Sequence, residues 1–163
     1  MKSVDCIIRN AQVYSDGELV RGGVAIDGGK VVAIGGEDFL PEGRDVLDVG
    51  GKAVLPGVVD SHMHVRDPGH RERGTFLTES MACASAGVTT FLEHPISCPP
   101  PYSPEILRKR MDSAAPQCLV DYAFFGAAGV EFTDEIGRVA REGIVAFKTF
   151  LHEAPEGRDE EFR

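Results

Sequence analysis

The sequence predicts an α/β protein, with short strands over residues 1–54 followed by alternating strands and helices over residues 55–163. Three observations carry this prediction. Val24-Ala25-Ile26 and Val31-Val32-Ala33-Ile34 flank Asp27-Gly28-Gly29-Lys30, where paired glycines supply the positive φ angles of a tight hairpin. From Leu55 onward, short apolar runs rich in β-branched residues recur with polar, helix-compatible segments between them. Those segments carry helix punctuation, such as Ser103-Pro104-Glu105 at a start and Gly87 at an end.

Taken in order, Val4, Cys6 and Ile8, then Ala11 and Val13, alternate as in one or two short strands with a turn near Arg9-Asn10. Asp16-Gly17 marks the next turn, and the hairpin follows. Asp45 to Val49 and Ala53 to Leu55 add extended pieces, so residues 1–54 read as a small antiparallel β unit without catalytic groups. Val54 to Asp67 is a buried strand that ends in His62-Met63-His64 and breaks at Asp67-Pro68-Gly69. A helix is expected from about Thr75 to Ala86, a strand over Val88–Leu92, a helix from Ser103, and a strand over Cys118–Phe125. Thr133-Asp134-Glu135 opens a third helix running to about Glu142, and Ile144–Leu151 is a fourth strand. Repeated strand-helix units imply a parallel sheet, either open or closed into a barrel. No glycine-rich phosphate loop follows the first of these strands, which disfavours a dinucleotide fold.

Composition narrows the class. Hydrophobic residues make up 42% and charged residues 26%, as in a globular protein. No apolar run approaches a membrane span, and the first residues lack a signal-peptide core, so a cytoplasmic protein is expected. The net charge of -9 disfavours nucleic acid and anionic membranes as partners. Arg71-Glu72-Arg73 and Arg108-Lys109-Arg110 read as solvated faces. Cys6, Cys83, Cys98 and Cys118 form no Cys-x-x-Cys pair and read as reduced thiols, with Cys98 reachable in its Pro-rich loop.

In a strand, alternate side chains share a face, so His62 and His64 project to one side and could grip one metal ion. Arg66 continues that face. Histidines at the carboxyl end of a strand stand where barrel enzymes place their chemistry. Lys148 lies between Phe147 and Phe150 in an apolar strand, where a buried ammonium costs several kcal/mol unless paired or neutralised. Its stem could instead snorkel to the rim. Carboxylated by carbon dioxide, it becomes an anion able to bridge two metals about 3.5–4 Å apart. His94 ends the second strand and could line a pocket; His70 and His152 read as loop residues.

Leu55-Pro56-Gly57-Val58-Val59-Asp60 before His62-Met63-His64, then Arg66-Asp67-Pro68-Gly69, Ala86-Gly87-Val88-Thr89-Thr90 and Ala146-Phe147-Lys148, resemble the amidohydrolase superfamily. The nearest branch is the cyclic amidohydrolases: dihydroorotase, allantoinase and hydantoinase. The resemblance covers nearly the whole chain. It implies the first half of a metal-dependent (β/α)8 TIM barrel over 55–163, preceded by a small antiparallel β-sandwich segment over 1–54. It further implies two zinc ions, His62 and His64 as ligands, Lys148 as a bridging N6-carboxylysine, and a homo-oligomeric complete enzyme. The implied reaction is hydrolysis of a cyclic amide or ureide C–N bond by metal-activated water. Arg66 matches a position that binds the substrate carboxylate in dihydroorotases, as a guanidinium can do bidentately. Ile96 departs from their pattern, which has asparagine there, while Glu93-His94-Pro95-Ile96 and Phe124-Phe125-Gly126 resemble allantoinases, which commonly lack arginine at the Arg66 position.

The rival reading is a non-catalytic scaffold of the same fold. A closed barrel needs eight strands and typically about 250 residues, whereas residues 55–163 supply four strands and a polar end. The acid/base and remaining ligands are therefore expected beyond Arg163, with no catalytic residue inside the chain. Purified 1–163 is expected not to turn over ureides or cyclic amides, and measurable hydrolysis in a coupled ammonia or chromatographic assay overturns this.

Overall fold

The computed structural model describes residues 3–151. The chain divides into two compact units, Met1–Pro56 and Gly57–Arg163.

In the first unit, β1 (Val4–Ser15), β2 (Glu18–Asp27), β3 (Lys30–Gly35), β4 (Gly43–Asp48) and β5 (Ala53–Val54) form one sheet. Its order is β3-β2-β1-β4, with β5 also on β1. The hairpin between β2 and β3 forms as expected, with Gly28 and Gly29 at φ 58° and 73°. Two expectations need correction. The chain does not turn at Arg9-Asn10; β1 runs through it by a bulge, Asn10 taking φ 53° and donating from its side chain to Asp48 Oδ1 at 3.0 Å. The unit is also not wholly antiparallel, since β4 and β5 both pair with β1 in parallel. Residues 36–42 carry the chain from β3 to a parallel β4 on the other side of β1, which a tight hairpin cannot do, and β5 then continues along β1 in the direction of β4. Gly22 and Gly23 sit where a Cβ would meet Gly35 O at 2.2 Å and Ile8 O at 2.4 Å, so side chains are excluded there by the neighbouring strands.

The second unit holds β6 (Val58–Met63), α1 (Phe76–Ser85), β7 (Val88–Glu93), α2 (Pro104–Ala114), β8 (Asp121–Ala127), α3 (Ile136–Ala140) and β9 (Ala146–Lys148). The sheet order is β6-β7-β8-β9, and every pairing is parallel. Sequential parallel strands joined by helices are the expected half-barrel arrangement. Register aligns Met63 with Glu93 and Glu93 with Phe124, so His64, His94 and Phe125 follow at one level, at the carboxyl end of the sheet. The core packs Phe76 and Cys83 of α1 and Leu107 and Ala114 of α2 against Phe91 and Phe124 of the sheet.

The helix signals operate as read. Thr75 caps α1 in a reciprocal box with Thr78, and Gly87 closes it at φ 79°. Ser103 Oγ accepts from Ile106 N, with Pro104 in the first turn. Three boundaries move. Residues 117 and 118 donate backbone N–H groups to Ala114 O, extending the end of α2, so β8 starts later than Cys118. A short 3-10 helix, Val130–Glu135, takes the first part of the third helix, because Phe132 leaves helical geometry (φ -120°, ψ 24°) where its ring stacks on Tyr102 at 3.9 Å. The fourth strand shrinks to Ala146–Lys148, which among the described residues pairs on one side only. No helix among the described residues is long and apolar enough to cross a membrane.

Thr75→Ala removes the side-chain oxygen that accepts from Thr78 N at the start of α1 and is expected to lower unfolding free energy by about 1 kcal/mol in urea titration, whereas the exposed Lys109→Ala should change it little.

Candidate functional site

The carboxyl end of the parallel sheet gathers three imidazoles. His62 is in the last turn of pleat in β6 and exposed, His64 follows the strand and is half-buried, and His94 follows β7 with 7% exposure. The alternation read from His-x-His brings His62 and His64 together, ring centroids 5.0 Å apart and planes at 77°. Imidazole lone pairs lie in the ring plane, so two rings crossed in this way can aim nitrogens at one point. His62 and His94 cannot. Their rings stack at 3.8 Å with planes 5° apart, so their in-plane lone pairs run parallel about one ring thickness apart and do not meet at an ion that sits about 2 Å from nitrogen. Accordingly, among the described residues no group of three or more His, Cys, Asp or Glu side chains is placed to hold a metal ion.

His94 is held on every side. Its other face stacks on Phe125 at 3.9 Å, its Nε2 lies 3.2 Å from Ser61 O, and its backbone N–H donates to Met63 O at 2.8 Å. Its own carbonyl lies 3.3 Å from His64 Nδ1. A carbonyl only accepts, so His94 carries its proton on Nε2 and His64 on Nδ1. His64 Nε2 is then left as a lone pair. Burial lowers the His64 pKa, the bond to the His94 carbonyl opposes this, and the charges of His62, Arg66 and Lys148 add to the lowering. Burial and then His62 lower His94 likewise, with Lys148 contributing. Both rings are therefore held in the neutral form that binds metals.

Lys148 ends β9, half-buried, with Nζ 4.9 Å from the Phe150 ring centroid. Its charge reaches both His64 and His94. Arg66 is half-buried and its charge acts on His64 and on Glu93. His70 lies apart on the following loop, 3.3 Å from Glu72, in keeping with a loop reading. His152 falls outside the described residues.

Beneath the histidines lies a group that the sequence reading misassigned. Arg108-Lys109-Arg110 is not one solvated face, because Arg110 is 2% exposed. Its Nε and Nη2 donate to the two Glu93 oxygens at 3.0 and 2.6 Å, Nη2 also to Val65 O at 2.7 Å, and Nη1 to Asp67 O at 2.5 Å. Phe76 and Phe124 flank the guanidinium at 5.2 and 6.0 Å. Burial pushes the Glu93 carboxyl up to about 7 while Arg110 pulls it down. Helical spacing could have signalled this, since Leu107, Arg110 and Ala114 share the buried face of α2.

No family model matches the chain. Over 162 residues it is 33% identical to an allantoinase of Streptomyces avermitilis, covering 98% of this chain and 36% of that protein. An allantoinase of Salmonella choleraesuis is 33% identical over 163 residues, 99% of this chain and 36% of its own. The solved L-hydantoinase (dihydropyrimidinase) of Arthrobacter aurescens matches with a TM-score of 0.87 at 30% identity, over 98% of this chain and 35% of that one. The chain thus spans about a third of the length of the curated relatives it matches. Its similarity to cyclic amidohydrolases runs over its whole length.

Arg110→Met leaves Glu93 buried without its counter-charge and is expected to cost about 3–5 kcal/mol in urea unfolding. Arg110→Met with Glu93→Leu should recover most of that loss; a single variant as stable as the parent contradicts the assignment.

Proposed function

We propose that this chain forms the metal-bearing part of a cyclic amidohydrolase that hydrolyses a cyclic amide or ureide C–N bond, in the manner of an allantoinase or a hydantoinase. The observation that carries it is the crossed pair of His62 and His64 at the carboxyl end of a parallel strand, with the Lys148 charge acting on His64. The fold likeness and the names of the similar proteins support the same class. Residues 55–163 are then the first half of a (β/α)8 barrel, and residues 1–54 one part of a β-sandwich.

The donor set fits two zinc ions only if Lys148 changes its chemistry. His62 and His64 offer ring nitrogens, but an ammonium repels a cation and has no lone pair. After Nζ gives up its proton to solvent, carbon dioxide would add to the free amine, a second proton leaving with the formation of the N–C bond, and Lys148 would become an anionic oxygen donor able to help hold the metals. Bound there, the metals would activate water and polarise the substrate carbonyl. The remaining tasks belong to the chain. His64 presents Nε2 because its Nδ1–H is engaged by the His94 carbonyl. Arg66, permanently charged, is placed to attract an anionic or carbonyl-rich substrate. An uncharged ureide ring and a carboxylate-bearing ring both suit that guanidinium, and Ile96 beside the site adds no second polar anchor.

Metal analysis of the chain tests this reading. Zinc bound by 1–163 is expected to fall at least tenfold in affinity for His62→Ala, and stoichiometry should drop when bicarbonate is removed from the buffer, with Lys148→Ala insensitive to bicarbonate. Turnover of ureides by any longer product of the same reading frame supplies the second arm. Absence of both metal binding and turnover leaves the scaffold reading standing.

A further inference from the structure

We propose that His94 is a positioning residue that sets the orientation of both His62 and His64, without itself binding metal; this rests on the reading of those two histidines as ligands. A ligand ring left free to rotate must be ordered when the ion arrives, and that ordering weakens binding. Partners around a ligating imidazole fix its tautomer and its plane. His94 provides both functions from one residue. Its ring lies face to face with His62 at 3.8 Å and 5°, so the exposed His62 side chain, which would otherwise sample several rotamers, has a flat plate against one face. Its carbonyl lies 3.3 Å from His64 Nδ1, so the proton of His64 is kept on that nitrogen and Nε2 stays available.

The plate is itself immobilised. Phe125 backs it at 3.9 Å, Ser61 O engages Nε2 at 3.2 Å, and the backbone of His94 is bonded to Met63 O at 2.8 Å. Ser61 and Met63 flank His62 in β6, so the same strand that carries the ligand also holds the residue that orients it. The parallel stacking keeps His94 from sharing an ion with His62, and its Nε2 is engaged at Ser61 O. Its Nδ1 is buried and has no hydrogen-bond partner among the described residues, a desolvation cost that a phenylalanine would not incur. An imidazole is kept at that cost where its Nε2–H anchors the plate to β6.

Two variants of chain 1–163 separate orientation from simple packing. His94→Phe keeps a flat ring and the backbone carbonyl; His94→Ala keeps only the carbonyl. Two-bond 1H–15N spectra of labelled imidazoles, assigned with His62→Gln and His64→Gln, should show His64 protonated on Nδ1 and His94 on Nε2 in the parent. The His62 ring protons should be shifted upfield by the stack in the parent and in His94→Phe, and lose that shift in His94→Ala. Zinc affinity, read by chelator competition, should fall about tenfold or more in His94→Ala and remain near the parent value in His94→Phe. A merely structural role would lower the melting temperature without moving the His62 resonances. His64 protonated on Nε2 in the parent, or His94→Ala binding zinc like the parent, overturns the proposal. If the parent binds no zinc, the metal reading fails while the ring-proton shifts still decide the orientation. Should His94→Ala not fold, the parent tautomers and the shifts in His94→Phe decide it.

Discussion

The buried pair of Arg110 and Glu93 is the interaction on which the rest of the second unit depends. Taking both charges out of water costs several kcal/mol each, and one hydrogen bond would not offset it. The guanidinium meets the cost by filling its fork: both Glu93 oxygens and the carbonyls of Val65 and Asp67 accept from it. Those acceptors come from the end of β7 and from the loop after β6, and the donor from α2. One side chain thus ties three elements at the level where His64, Arg66 and His94 leave the sheet. Arg66 stands between two carbonyls held by Arg110, so its backbone is anchored on both sides. Lysine could not substitute, since an ammonium on a flexible stem offers no planar fork to a carboxylate and two carbonyls together.

This arrangement also explains what the sequence could and could not disclose. The strand-helix alternation, the Thr75 and Ser103 caps, the Gly87 stop and the pairing of His62 with His64 are local, set by periodicity and by backbone chemistry within a few residues. They were legible. Arg110 is not distinguishable by local pattern, because three adjacent basic residues look alike in one dimension; only the helical face shared with Leu107 and Ala114 marks the buried one. The sequence places His94 at a strand end where it could line a pocket, but its stacking between His62 and Phe125 depends on the register of β6, β7 and β8, which no local pattern specifies. The bulge at Asn10 and the parallel addition of β4 and β5 fail to show for the same reason, being settled by partners about 40 residues away in the chain. Lys148 stands between these cases. Its position in an apolar strand was plain, but the strand proved three residues long, and its half-burial over Phe150 is a property of that short edge.

Electrostatics then joins the two layers of the site. Burial first, and then the charges of Arg66 and Lys148, lower His64, and burial and Lys148 lower His94 likewise, which favours neutral rings. Neutral imidazoles are ready ligands, yet a cation entering this field meets a guanidinium that never loses its charge and an ammonium at the end of β9. The buried carboxylate Glu93 does not relieve this, since it is committed to Arg110. On the proposed reading, reducing the repulsion falls to Lys148: once Nζ has released its proton to solvent, the free amine could add carbon dioxide with loss of a second proton and become an anion. Carbamate formation would do more than supply a bridging ligand. It would exchange one of the charges that repel a metal for one that attracts it, with the Arg66 guanidinium left as the fixed cation whose charge acts on His64.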